Sequence, residues 1–341
     1  MTTRRNRQWL LAKRPVGMVG AANFEFREVP APAPGPGEIL VKNLYLSFDP
    51  AMRGWMEDRP SYIPPVGLGE VMRAGGVGQI VESRRSDLKA GDFVQGMFGW
   101  QEYSIAAPGG LMSATPLPKG MPLTWPLGAC GITGLTAYFG LLDLGKPKAG
   151  ETVVVSGAAG ATGSVAAQIA KIQGCRVIGI AGGAEKCRWL TETAHLDAAI
   201  DFKREDVAKR IRELCPKGVD VYFDNVGGEI LDAALANLAQ RARVVLCGGI
   251  SGYNEATPAP GPRNLMNLVV TRSRMEGFIV IDYAPRFAEG ATKLAQWVAE
   301  GKLAHAEDVQ RGIENAPKTF LRLFQGKNLG KQLLQVAEPT T

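Results

Sequence analysis

The sequence predicts an α/β chain, with a parallel, doubly wound sheet preceded by a compact β-rich domain. Three observations carry this. Between residues 151 and 247, short apolar runs alternate with helix-patterned stretches of about ten residues, the signature of a parallel sheet. A glycine-rich turn at 157–163 joins the first of those runs to an alanine-rich helix. Residues 1–120, by contrast, hold short strand-like pieces punctuated by Gly and Pro, without a helical period.

In chain order, residues 8–15 and 24–29 predict strands, and 30–37 (PAPAPGPG) a stiff, turn-rich connector. Residues 38–46 alternate enough for a half-buried strand, and 76–82 and 92–96 add two short ones. The texture changes near 122. Small and apolar residues at 127–144 predict a helix. The continuous apolar run 151–156 predicts a fully buried strand, followed by a helix at 163–173. Strands follow at 176–181, 198–202, 219–224, 242–247 and 277–281, separated by helices at 184–193, 205–214 and 229–239. The tail predicts helices at 286–300 and 314–325 and a strand at 332–336.

At 341 residues the chain has room for two domains of about 150 residues. Hydrophobic residues at 45% and charged residues at 21% exclude a disordered chain. A net charge of +6 is too small an excess to argue for nucleic acid; it suits an enzyme whose ligand carries phosphates. The apolar runs fall well short of the roughly 18 residues that span a bilayer, so no membrane partner is expected. His195 and His305 lie far apart and the five cysteines form no CxxC pair, which leaves no metal-ligand spacing. An odd cysteine count without a signal peptide predicts a reduced, cytoplasmic protein. The basic stretch 1–15 reads as the entry to the first strand.

The strongest motif is VVVSGAAGATGSVAAQIAK, residues 153–171. Gly157, Gly160 and Gly163 stand between a buried strand and a small-residue helix. A close pyrophosphate leaves no room there for side chains, and the helix start offers N–H groups to phosphate oxygens. Ala166, Ala167 and Ala170 let the helix sit close to the sheet. After the second strand, residues 177–184 carry no acid for the ribose hydroxyls of NAD. Lys186 follows as the candidate for a 2'-phosphate, with Arg188 behind it and Glu185 opposing. An ordinary surface lysine is the alternative for Lys186.

Two later junctions fall where ligands bind in such sheets, at the carboxyl ends of strands. Asn225 follows the fourth strand of the alternating set. Gly248, Gly249, Ile250, Ser251, Gly252 and Tyr253 follow the fifth. Asn225 can donate to a ribose or carboxamide, and Tyr253 lies beside the expected nicotinamide. Loop geometry alone is the alternative for each.

With these residues in place, the chain resembles the zinc-independent branch of the medium-chain dehydrogenase/reductase superfamily. That branch holds the leukotriene hydroxydehydrogenase/prostaglandin reductases, curcumin reductases and alkenal double-bond reductases. The matching stretches run from FDPAMRGWM (48–56) and PVGLGEVMRAGGVGQIVES (65–83) through GDFVQG (91–96) and GITGLTAYFGL (131–141). They continue through the glycine turn to FDNVGG (223–228), CGGISGYN (247–254) and GKNLGKQLLQV (326–336).

The resemblance implies a GroES-like substrate domain over 1–125, completed by 312–341, and a Rossmann NADP-binding domain over 126–311. It implies NADPH/NADP+ as cofactor and a homodimer. The cofactor-binding set it implies is Gly157, Gly160, Ala161, Thr162, Gly163, Lys186, Asn225, Cys247, Gly248, Ile250, Ser251, Tyr253, Phe278, Val280 and Asn328. Tyr253 falls on the family's active-site tyrosine, Lys186 on its 2'-phosphate lysine, and Asn328 on an asparagine near the nicotinamide. Two positions depart from the pattern: Ala51 replaces a tyrosine, and Phe202 replaces a tyrosine that frames the 2'-phosphate. The ligand cysteine that zinc-dependent relatives carry near Phe48–Asp49 is missing, as is their four-cysteine lobe.

The expected reaction is NADPH-dependent reduction of the C=C bond of an apolar or aromatic enal or enone in an interdomain cleft. Hydride goes to the β-carbon, the charge that builds on the carbonyl oxygen needs a hydrogen-bond donor, and the α-carbon takes a proton from Tyr253 or water. A quinone reductase and a non-catalytic NADPH-binding sensor or structural protein are the alternatives. Trp55, Tyr62, Trp100, Tyr103 and Phe278 are candidate pocket aromatics, with core packing the other reading.

Overall fold

The computed structural model describes residues 4–110, 113–257 and 260–340. The chain divides into two units, Met1–Leu127 with Glu307–Thr341, and Gly128–Ala306. In the first, β1 (Arg5–Leu11) and β2 (Phe24–Pro30) form an antiparallel pair. A larger sheet is built from β3 (Ile39–Ser47), β4 (Gly75–Ser83), β5 (Phe93–Met97), β6 (Tyr103–Ala106) and β7 (Ala114–Pro116), all in antiparallel pairings. The short helix α1 (Met52–Trp55) lies between β3 and β4. β3 is buried along most of its length because apolar clusters cover it from both sides: Leu46 belongs to one, Ile39 and Val41 to another. Trp100 is fully buried against Phe24, Phe48 and Phe320, so it is a core residue and not a pocket aromatic.

The second unit opens with α2 (Ile132–Phe139). Six parallel strands follow: β8 (Thr152–Ser156), β9 (Arg176–Ala181), β10 (Ala198–Asp201), β11 (Val219–Asp224), β12 (Leu238–Leu246) and β13 (Arg274–Gly277). Their spatial order is β10-β9-β8-β11-β12-β13. Between them run α3 (Ala161–Ile172), α4 (Ala184–Arg188), α5 (Val207–Leu214), α6 (Gly228–Leu235) and α7 (Asn267–Val270). α8 (Phe287–Ala299) closes the unit. Helices on both faces explain why Val153, Val154, Val155, Val177, Ile178 and Val221 are all fully buried, and why these strands read as unbroken apolar runs. The strand order reverses between β8 and β11, which opens a crevice at their carboxyl ends.

Two elements differ from expectation. The strand expected at 277–281 runs instead over Arg274–Gly277, because its register follows Arg243–Leu246 of β12. Phe278 and Val280 therefore leave the sheet, and Val280 starts a 3-10 turn. The helix expected over 127–144 is regular only from Ile132 to Phe139; a π-turn, Gly140–Gly145, ends it at Lys146 in a left-handed conformation. The chain then returns to the first unit with β14 (Glu307–Arg311), α9 (Ala316–Phe324) and β15 (Lys331–Gln335). β15 pairs antiparallel with β3 and parallel with β14, which puts residues 307–311 in the first unit's sheet.

Candidate active site

The crevice is lined by the loops that leave β8, β9, β11 and β12. At β8 the chain turns at Gly157, whose φ of +57° suits glycine, and enters α3 at Gly160. A Cβ on Gly163 would fall 2.3 Å from the Gly157 oxygen, so no side chain fits where the helix crosses its own turn. Gly160 makes no side-chain cap to α3, leaving the first-turn amides at Ala161, Thr162 and Gly163 to face an anion. Ala166, Ala167 and Ala170 are fully buried and seat the helix on the sheet. These features form a cradle shaped for a pyrophosphate.

Beyond β9, Gly182 and Gly183 lead into α4, which carries the half-buried Lys186. The end of β9 carries no acid, and the neighbouring strand β10 ends in one, Asp201. Its carboxylate is not presented to a ribose: Oδ1 accepts the N–H groups of Gly183 at 2.8 Å and Lys203 at 3.1 Å. Phe202 and Lys203 lean over Gly182, where an added Cβ would meet both at about 3 Å. Lys186 and Lys203 thus stand on the two loops that Asp201 ties together. Glu185 and Arg188 are exposed.

The β11 and β12 loops are organised by Asp224, which is 1% exposed. Its Oδ1 accepts from Ser156 Oγ at 2.7 Å and from the Tyr222 hydroxyl at 2.9 Å. The carboxylate also accepts the N–H groups of Val226 and Gly227. Burial and the adjacent carboxylate push the Tyr222 phenol well above its ordinary pKa, so it stays protonated as a donor. The Asp224 carbonyl accepts from Cys247 and Gly248. Asn225 donates one side-chain N–H to the Ser156 carbonyl at 2.7 Å, leaving its Oδ1 and second N–H for a ligand. Ile250 and Ser251 donate back to the carbonyls of Asn225 and Val226, which locks the two loops together. Tyr253 follows the Ile250–Gly252 turn and is half-buried. Its oxygen accepts the Gly249 N–H at 3.2 Å, and a Cβ on Gly248 would fall 3.1 Å from it. Burial pushes the Cys247 thiol up to about 12, so it is neutral near pH 7.

Phe278 packs on the end of α2: a Cβ on Gly140 would fall 2.3 Å from its ring, and Tyr283 meets it edge-on. Asn328 belongs to the first unit, where its side chain is buried and donates to the Gly330 carbonyl at 2.9 Å. Close by in sequence, Lys331 is buried, ion-pairs with Asp49 and donates to the Phe48 carbonyl. Ser47 also donates to Asp49, at 2.6 Å. Buried Arg53 pairs with Glu57 and donates to the Gly17 carbonyl. Trp55 donates to the Tyr62 hydroxyl at 2.9 Å.

Sequence reasoning missed Asp201, Lys203, the Ser156–Asp224 pair and the Asp49–Lys331 pair. The signal for Ser156 and Asp224 was present: each is the polar residue that ends an apolar strand, VVVS and VYFD. Nothing local announces Asp49 and Lys331, which meet only through the β15–β3 pairing. Among the described residues, no group of three or more His, Cys, Asp or Glu is placed to hold a metal ion.

A glycine cradle at the switch point of a six-stranded parallel sheet defines a dinucleotide-binding oxidoreductase fold. Residues 7–114 match the family described as N-terminal domain of oxidoreductase, and residues 161–297 the family described as zinc-binding dehydrogenase. The chain is 46% identical to the NADPH-dependent curcumin reductase of Escherichia coli, over 98% of this chain and 97% of that one. It is 38% identical to the NADP(+)-dependent 2-alkenal reductase of Nicotiana tabacum, over 97% and 98%. The structure of CurA from Vibrio vulnificus in complex with NADPH superposes with a TM-score of 0.92 at 43% identity, covering 98% of this chain and 100% of that one. The chain belongs to the medium-chain dehydrogenase/reductases, in the group that includes the curcumin and alkenal/enone reductases.

Proposed function

We propose that this chain reduces the C=C bond of α,β-unsaturated aldehydes and ketones with NADPH, without a metal. The observation that carries the reading is the loop pair built on Asp224, which sets Tyr253 over Gly248 at the carboxyl end of β12. The names of the relatives above support both cofactor and reaction class. Bound NADPH supplies the hydride that reaches the β-carbon.

The chain's own residues do the rest. The amides of Ala161, Thr162 and Gly163, with Gly157 and Gly160, hold the pyrophosphate. Lys186 meets the 2'-phosphate. Asn225, Cys247, Gly248, Ile250 and Ser251 receive the nicotinamide half, and Phe278, Val280 and Asn328 complete the cofactor contacts. The Tyr253 hydroxyl donates to the carbonyl oxygen, where negative charge builds as hydride arrives. The α-carbon is protonated by Tyr253 or by water. In this reading Gly128–Ala306 serves the cofactor, and Met1–Leu127 with Glu307–Thr341 serves an apolar or aromatic substrate.

A homodimer fits the β13 edge, which ends the sheet beside the exposed apolar residues Leu265, Met266, Val269 and Val270. A monomeric mass by light scattering would contradict it. The five free cysteines and the lack, among the described residues, of a helix long and apolar enough to cross a membrane support a reducing, cytoplasmic setting. The test of the main reading is NADPH oxidation against matched pairs of enones and their saturated ketones. Turnover with the enones alone is expected; turnover with the saturated ketones, or with neither, would contradict it.

A further inference from the structure

At the amino ends of β8, β12 and β13, away from the coenzyme turn, lies a second concavity of about 450 Å³. Six cations line it, Lys146, Lys148, Arg241, Arg243, Arg272 and Arg274, against a single carboxylate, Glu151. Lys146 and Lys148 precede β8, Arg241 and Arg243 lie in β12, and Arg274 begins β13. The carboxylate is already committed. Glu151 takes both ends of the Arg243 guanidinium, with Nη1 at 3.0 Å and Nη2 at 2.5 Å, and also accepts the Lys148 N–H. Glu151 is the sole carboxylate among the residues that line the cavity; its ion pair is with Arg243, and only Lys148 of the other five acts on it, at longer range.

The walls are held rigidly. Arg243 donates to the carbonyls of Gly145 and Lys146, Arg274 donates to that of Leu144, and the Arg241 N–H meets the Thr271 carbonyl at 2.8 Å. Arg243 and Arg274 are also register partners across β12 and β13, a like-charge pairing that strands disfavour.

The backbone adds a second, independent oddity. Among the described residues, four non-glycine residues have a left-handed backbone, and three of them are Lys146, Arg241 and Arg272. Glycine or asparagine is the residue expected at such positions. Here a cation stands at each one, around one cavity. Conformational cost and mutual repulsion are both carried to bring positive charge to this place, and strain of this kind gathers where a ligand compensates it.

We propose that this cavity is an anion site, separate from the coenzyme cradle, that binds the phosphate chain of a small polyphosphate. Its size falls within the range of roughly 300–1,000 Å³ typical of small-molecule sites, too large for one phosphate alone. No aromatic residue lines it, so it offers no stacking platform for a nucleobase or for single-stranded nucleic acid. Guanidinium forks and lysine ammonium groups spread around the rim suit several phosphate groups at once.

The experiment is calorimetric titration of the full-length protein, saturated with NADP+, with tripolyphosphate as probe. One tripolyphosphate per chain is expected, with ATP binding about as tightly because only its phosphates are read. Arg241→Gly and Lys146→Gly separate ligand binding from folding, since glycine accepts the left-handed backbone. Each should keep or raise the melting temperature while weakening tripolyphosphate about 10-fold or more, the loss of one charge-assisted contact. NADP+ affinity should be unchanged in both variants. The proposal fails if tripolyphosphate does not bind or is displaced by NADP+, or if both glycine variants bind it as wild type. It fails equally if a short RNA binds and tripolyphosphate does not.

Discussion

The oxygen of Tyr253 accepts a hydrogen bond from the backbone N–H of Gly249, at 3.2 Å, four residues earlier in the same loop. The phenol is thereby pinned over Gly248 before any substrate arrives, and a phenol that accepts on its oxygen still donates its proton elsewhere. This is the preorganisation that stabilising a developing oxyanion requires. Tyr253→Phe keeps the ring and removes the hydroxyl. Single-turnover hydride transfer at saturating NADPH and enone should slow by about 10- to 100-fold, below the full loss of an oxyanion donor because water can substitute. NADPH affinity should stay near wild type. An unchanged rate would leave Tyr253 as a packing residue.

Lys186 is the candidate for the 2'-phosphate, and Lys203 stands on the neighbouring loop that Asp201 ties to it. Lys186→Ala should weaken NADPH by about 10- to 150-fold, the value of a charge-assisted contact, and leave NADH binding nearly unchanged. Equal losses for both coenzymes would show that the lysine supports the fold instead. A loss near the lower limit would fit Lys203 sharing the charge.

The cysteines give a pH prediction. Burial raises Cys130, Cys175, Cys187 and Cys215 to about 11 and Cys247 to about 12. In the unfolded chain each titrates near about 8.5. The folded state therefore holds more protons between those values, and stability is lost as pH rises through that window. At about pH 8 the native protein should react slowly with iodoacetamide, and the denatured protein quickly. Rapid native alkylation at Cys247 would contradict the burial argument.

How much of this was legible in the sequence depends on how local the cause is. The glycine turn at 157–163 and the parallel strands were readable, because close backbone approach and burial on both faces leave marks in adjacent residues. β13 was placed about three residues late, since FIVI looks like a strand while pairing with β12 selects RMEG. Trp100 could be assigned to pocket or core only once Phe24, Phe48 and Phe320 were seen around it. Asp201 was invisible as a loop organiser because its partners, Gly183 and Lys203, come from two different strand ends. The cationic cavity left no motif, since its residues are spread from Lys146 to Arg274 and meet only at the amino edge of the sheet.

The central claim is that hydride passes from NADPH to the β-carbon of an unsaturated carbonyl compound. The most direct test uses NADPH deuterated at the transferring position of the nicotinamide, with an enone as acceptor, and locates the label in the product by NMR. The account predicts a saturated ketone carrying deuterium on its β-carbon. Deuterium on the carbonyl carbon of an allylic alcohol, or an unlabelled product, would contradict it.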